Sequence, residues 1–229
     1  MHFTPDSLQF LFENHLRDSR EWYQQNKETY KQTVVLPFRE LVAAVQPTLL
    51  AIDSQILCEA DKAPRVFRDT RIIKYSRDKA IFRDHVWRSF GRTREQYEAL
   101  PSFYIEISPR GYSYGCGYYQ AGPDSMAAIR QLILDDDSAF AEARAVFEQR
   151  PDFVLAGESY KRPHYPDQPP EKQLWLDRRS LCLCAAGTDF PLLFSDAFAG
   201  FLAEAYRAMA PFYRFLMKAE ARVYRERGL

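Results

Sequence analysis

The stretch from Ser102 to Tyr119, SFYIEISPRGYSYGCGYY, narrows the fold more than any other part of the chain. Phe103, Ile105 and Ile107 alternate with Tyr104 and Glu106, the period of two that sends successive side chains to opposite faces of a strand. Pro109-Arg110-Gly111 supplies turn residues, after which Tyr112, Tyr114, Cys116 and Tyr118 alternate with Ser113, Gly115, Gly117 and Tyr119. The pattern predicts an antiparallel hairpin with one aromatic face and one face nearly bare around two glycines. A bare strip has two uses: tight packing of a helix or a bulge, or close approach of a ligand to the backbone.

An aromatic sheet face has to be covered, and the sequence offers helices at both ends to do it. Thr4-Pro5-Asp6 starts a short helix that ends near Leu16. Asp18 or Ser19 caps a longer one in which Trp22, Tyr30, Val34, Leu41, Val45 and Leu49 keep helical spacing, with Pro37 as a kink or break. Further helices start at Gly122-Pro123-Asp124 and at Asp137 or Ser138. From Ser195 to Arg225, Phe198, Leu202, Tyr206, Met209, Tyr213 and Leu216 form a core stripe with Pro211 inside it. β-Rich runs at Val66–Ile73 and Leu181–Ala186 add strands, and the proline-dense Tyr160–Pro170 reads as an extended loop. The prediction is one α+β domain spanning residues 1–229, a mostly antiparallel sheet packed with N-terminal helices and a long C-terminal helix. A hydrophobic content of 46% is ample for its core.

Other chemistries find little support. No basic leader followed by an apolar run is present, and no stretch approaches eighteen uncharged apolar residues, so a soluble cytoplasmic protein without a membrane partner is expected. Cys58, Cys116, Cys182 and Cys184 form neither a disulfide framework nor a CxxC pair, and Cys182 and Cys184 read as small buried hydrophobes. The histidines lack ligand spacing, and consecutive Asp135, Asp136 and Asp137 cannot converge on one ion from a helix, which leaves a capped helix junction. No metal or cofactor is expected.

The charge distribution carries the functional signal. Between Arg65 and Arg94 stand ten Lys and Arg against three Asp, whereas the whole chain has 31 of each sign. Arg forks fit phosphate or carboxylate and Lys adds a mobile charge. The segment either binds an anion or is neutralised in salt-bridge networks with Asp69, Asp78, Asp84 and acids elsewhere. Surface pairs contribute only ~0–1 kcal/mol each, a weak reason to gather so many cations. Interleaved Phe67, Tyr75, Phe82, Trp87 and Phe90 could stack on bases, but overall neutrality argues against nucleic acid as the partner.

Four stretches together resemble the domain of unknown function 2461 family: FLFENHLRDSREWYQQNKETYKQTVVLPFRELV, YSRDKAIFRDH, FYIEISPRGYSYGCGYYQAGPDSMAAIRQLI and YKRPHYP. The resemblance covers residues 3 to 186 and implies no activity. Its basic motif falls on Arg68, Arg71, Ser76, Asp78, Lys79 and His85, with Lys74, Arg77 and Arg83 keeping the charge. The family's Asp falls on Ile72 and its Pro on Ile81, so this chain reads as a divergent member. The loop matches at Lys161, Arg162 and Pro163, which implies a further cation near the same sheet.

The leading expectation is a small anionic or phosphorylated ligand held by Arg68, Arg71, Lys74, Arg77 and Lys79, with Lys161 as an outer contact and Tyr104, Glu106 and Tyr118 facing the rest of it. An enzyme acting on that ligand is the alternative, with His85 or Glu106 as proton carrier. A third reading docks the basic segment on an acidic protein or nucleic acid. The sequence names no protein partner.

Overall fold

The computed structural model describes residues 2–77, 79–93 and 100–227. Helices α1 (Pro5–Arg17), α2 (Arg20–Gln25) and α3 (Lys27–Tyr30) lead through a π-helical turn, Lys31–Val35, into α4 (Leu36–Ile52). After α5 (Thr70–Tyr75) come β1 (Val86–Phe90), β2 (Ser102–Ser108), β3 (Gly111–Gly117), α6 (Pro123–Leu134) and α7 (Ser138–Gln149). Then follow β4 (Val154–Ala156), α8 (Pro170–Leu176), β5 (Cys182–Gly187), α9 (Phe190–Leu193) and α10 (Ala197–Arg227).

The predicted hairpin forms with Phe103 opposite Cys116, Ile105 opposite Tyr114 and Ile107 opposite Tyr112. It sits inside a five-stranded antiparallel sheet of order β1-β2-β3-β5-β4. One face buries Phe103, Ile105, Ile107, Tyr114 and Cys116, and α10 lies on it. The predicted stripe Phe198, Leu202, Tyr206, Met209, Tyr213 and Leu216 is buried throughout. The Phe103 ring meets Tyr206 and Tyr213 at centroid distances of 5.2 and 5.1 Å, and the Tyr206 hydroxyl donates to the Tyr104 carbonyl at 2.9 Å. Burying side chains of this size stabilises by roughly 1.5–3 kcal/mol each, so the packing of this helix on the hairpin is a central part of the core. The α+β arrangement is the one the sequence predicts.

At the N-terminus the chain does not break at Pro37. The proline occupies the first turn of α4 and the π-helical turn precedes it, so the helix runs from Lys27 to Ile52. Widening the ladder by one residue accommodates the proline's missing N–H. Part of this helix is long and apolar enough to match a membrane span by length and composition, and its Leu41, Val42, Val45 and Leu49 are buried in the protein core.

The strand expected at Val66–Ile73 is not there. Phe67 pairs with Phe82 in a single antiparallel bridge, with the Arg68 amide on the Ile81 carbonyl and the Arg83 amide on the Val66 carbonyl at 2.8 and 2.7 Å. The chain then turns into α5, beginning with the Ile73 amide on the Asp69 carbonyl. The Lys79 amine closes the other end, donating to the Ile73 and Lys74 carbonyls at 3.1 Å each. Local hydrogen bonds at both ends outweigh the β preference of Ile72 and Ile73.

Candidate functional site

The second face of the sheet is turned to solvent. By register, Trp87 and Ser89 of β1, Tyr104 and Glu106 of β2, Ser113, Gly115 and Gly117 of β3, and Cys182, Cys184 and Ala186 of β5 share it. Trp87, Ser89 and Ala186 are exposed, while Tyr104, Glu106, Ser113, Cys182 and Cys184 are half-buried. The two cysteines thus stand on the open face, where the sequence suggested buried hydrophobes. They are not reactive thiolates: burial, reinforced by the neighbouring Cys184, pushes Cys182 up to about 12, and burial also raises Cys184.

The glycine strip on this face is covered by the protein's own Tyr104. Its ring edge lies 2.6 Å from where a Gly115 Cβ would stand, and its hydroxyl reaches Ser113 and Cys184. Burial, reinforced by Cys182 and Cys184, raises the Tyr104 phenol, so it is a neutral donor. At Gly117 the requirement comes from the backbone: φ is +151°, and a Cβ would lie 2.4 Å from the Leu181 carbonyl oxygen.

At the β1 end of this face the cations gather. The bridge between Phe67 and Phe82 lays Val66 beside Arg83, so that Arg65 and Arg68 bear on Arg83. Burial, then the charges of Arg68 and Arg65, depress the Arg83 guanidinium, and Glu106 is the carboxylate that pulls it back. Arg68 is half-buried and oriented by the Ser76 hydroxyl at 3.1 Å and the Ala80 carbonyl at 3.3 Å. Asp18 fixes the returning strand: at φ 45° it ends α1, and its Oδ1 accepts from the Ile81 and Phe82 amides at 2.7 and 3.0 Å. His15 Nδ1 lies 2.8 Å from the Phe82 carbonyl oxygen.

Next to the arginines runs a chain of titratable groups. Arg110 meets Asp84 Oδ2 at 2.5 Å, Asp84 Oδ1 meets His85 Nδ1 at 2.9 Å, and His85 Nε2 faces Glu106 at 4.0 Å. Burial alone would raise the Asp84 carboxyl, but the bonds from His85 and Arg110 outweigh it and hold the group below its ordinary value. An anionic Asp84 fixes the imidazole at Nδ1 and leaves Nε2 directed at the face.

The structure therefore brings together Arg68, His85, Glu106 and Tyr104 among the residues expected from the sequence. Lys79 caps α5 instead of reaching outward. Lys74 is exposed with its amine 5.5 Å from the Tyr75 ring centroid, and Arg77 is exposed without a hydrogen bond or ion pair among the described residues. The Arg71 side chain lies outside the described residues. Tyr118 is on the other side of the sheet, 4% exposed, donating a 2.5 Å bond to the buried carboxylate of Glu220. Lys161 follows β4 on the edge opposite β1, four strand spacings of ~4.8 Å away. Its loop is instead anchored by Arg130, which donates to the Leu176 and Arg178 carbonyls and to the Tyr160 hydroxyl.

Arg65, Arg83, Asp84 and Arg110 are not among the ligand residues expected from the sequence, where Arg83 enters only as a charge-keeping position of the family's motif and Asp84 only as a salt-bridge partner. Arg83 carried a signal, since it alternates with buried Phe82 next to His85, but its two arginine neighbours come from the Phe67–Phe82 pairing. A separate cleft of about 180 Å³, lined by His2, Glu40, Leu41, Asp196 and Phe198 among others, contains none of these residues. Among the described residues no group of histidines, cysteines and acids is arranged to hold a metal.

A family model described as conserved hypothetical protein (DUF2461) matches residues 6–215. No curated protein matches the chain.

Proposed function

Because the chain belongs to the DUF2461 family, whose description names no reaction, we propose its function from the site itself: it binds a small anionic ligand, a phosphate or carboxylate, at Arg65, Arg68 and Arg83 on the open sheet face. The observation that supports this is the Phe67–Phe82 bridge, which brings the segment carrying Arg65 and Arg68 alongside Arg83 so that their charges act on it, with Glu106 as the carboxylate acting on Arg83. Like charges brought together without a ligand oppose folding; an anion converts the repulsion into attraction. Planar guanidinium forks suit the paired oxygens of phosphate or carboxylate.

Thermal unfolding against inorganic phosphate and citrate tests the reading. Either anion at a hundred times its dissociation constant should add about 2.7 kcal/mol of apparent stability. Arg83→Gln should weaken binding about tenfold or more while leaving the ligand-free melting temperature unchanged or higher, since a repelled charge is removed. Unaltered affinity in Arg83→Gln, or no response to any anion, overturns the proposal.

The Asp84–His85 pair supports a second reading, in which the site also moves a proton to or from the bound ligand. His85 would be the carrier and Asp84 its positioning residue. Turnover of a phosphorylated substrate with a pH profile lost in His85→Ala would support it.

A further inference from the structure

Trp87 stands on the same open face, and its surroundings bear on what the anion is attached to. In the sheet register it lies directly across from Glu106, so their Cβ atoms are ~4.5–5.5 Å apart. Glu106 in turn acts on Arg83 and lies 4.0 Å from His85. One cross-strand step therefore separates the arginine cluster's own carboxylate from an indole that is 43% exposed. The neighbouring positions on that face are small at Ser89 along β1 and Ser113 beyond Glu106, while Glu106 and His85 stand on the side of the ring toward Arg83. Of the other exposed aromatics, Phe12 is on α1, Tyr75 ends α5 under the Lys74 amine, and Tyr119 follows β3 at the far end of the sheet; Phe67, between Arg65 and Arg68, is already packed on the Tyr23 and Phe82 rings at centroid distances of 4.8 and 4.6 Å.

We infer that the ligand is a mononucleotide, its phosphate on Arg65, Arg68 and Arg83 and its base stacked on Trp87, with Glu106 accepting from an amino group on the base edge. The inference rests on the anion-binding reading and adds the ring. A sugar phosphate or a carboxylate would use the cations and leave the indole in water, whereas a nucleotide spans both. Stacking on an aromatic platform is sequence-tolerant and strong enough to be measured. A long nucleic acid is disfavoured by charge, since the residues outside Arg65–Arg94 carry the negative surplus that balances the chain.

Titrations of the full chain with inorganic phosphate, ribose 5-phosphate, adenosine 5′-monophosphate and adenosine, read by calorimetry and tryptophan emission, separate the two claims. The monophosphate should bind about five- to a hundredfold tighter than ribose 5-phosphate, the range expected for one stacked base, and quench the exposed Trp87. Trp87→Leu should remove that gap while leaving ribose 5-phosphate affinity unchanged, and Trp87→Phe should retain part of it. Equal affinities for ribose 5-phosphate and the monophosphate, or a gap that survives Trp87→Leu, overturn the nucleotide inference and leave anion binding standing. If neither a phosphate compound nor citrate binds, both fall, and binding of citrate alone overturns the nucleotide inference and leaves anion binding standing. Affinity that climbs steadily with oligonucleotide length would also overturn it, in favour of a nucleic-acid surface.

Discussion

Two tyrosines of the same hairpin end in opposite environments. Tyr104 lies across the open face with its hydroxyl beside Ser113 and Cys184, whereas the Tyr118 hydroxyl bonds to Glu220, which is 2% exposed inside the core. Tyr118→Phe should leave that carboxylate without its donor and cost about 1–3 kcal/mol, read as a lower melting temperature with anion affinity unchanged. Lost affinity at an unchanged melting temperature would instead return Tyr118 to the site. The alternation of Tyr112, Tyr114, Cys116 and Tyr118 already groups Tyr118 with the core face, but strand register is needed to show that Tyr104 and Glu106 point the other way. Arg83 was harder to see. Its neighbours Arg65 and Arg68 are at least fifteen positions away in sequence, and the pairing that brings them close is one bridge with no periodic pattern to announce it.

At the scale of elements, the basic segment owes its shape to α1. Asp18 uses a left-handed backbone to end that helix and its carboxylate to hold the Ile81 and Phe82 amides. Asp18→Ala and Asp18→Gly should speed amide exchange at Ile81 and Phe82 and weaken phosphate binding about tenfold, while Asp18→Asn, which keeps an acceptor, should retain most of it. Unchanged exchange in Asp18→Ala would show that the bridge at Phe67 and Phe82 suffices by itself. Elements with strong periodicity or clear caps were legible in the sequence: α1, α6, α7, α10 and the β2–β3 hairpin. Short ones were not. β4 has three residues and β1 five, too few for alternation to stand out, and α8 begins at the last proline of what reads as an extended loop. α5 was mistaken for a strand because its ends are fixed by Asp69 and Lys79, contacts that composition does not display.

For the whole molecule, the titrating groups set a bounded pH range of stability. Burial opposes ionisation of Asp53, yet bonds from Arg92 and Tyr213 win and lower it. Asp84 is lowered in the same way by His85 and Arg110, and Asp137 and Asp152 are lowered by Lys218 and Arg150 first of all. A carboxyl depressed in the folded state adds stability that is complete above its unfolded value, near ~4, and is lost as pH falls through the folded value. On the alkaline side, burial raises Cys58, Cys116, Tyr114 and Tyr206. Those groups release protons more readily when unfolded, so stability declines as pH rises through their ordinary values, about 8.5 for thiols and 10 for phenols. The melting temperature should hold steady between about pH 5 and 8 and fall on both sides. Asp53→Asn should lower the plateau and flatten the acid limb, because the group that must be protonated is gone. Asp84→Asn should flatten it less, since Asp84 and Arg110 are more exposed than Asp53 and Arg92. A melting temperature constant from pH 7 to 3 in the unaltered protein would mean that these pairs are screened by solvent to no effect. The Asp84–His85 contact would then be too weak to orient the imidazole toward a ligand.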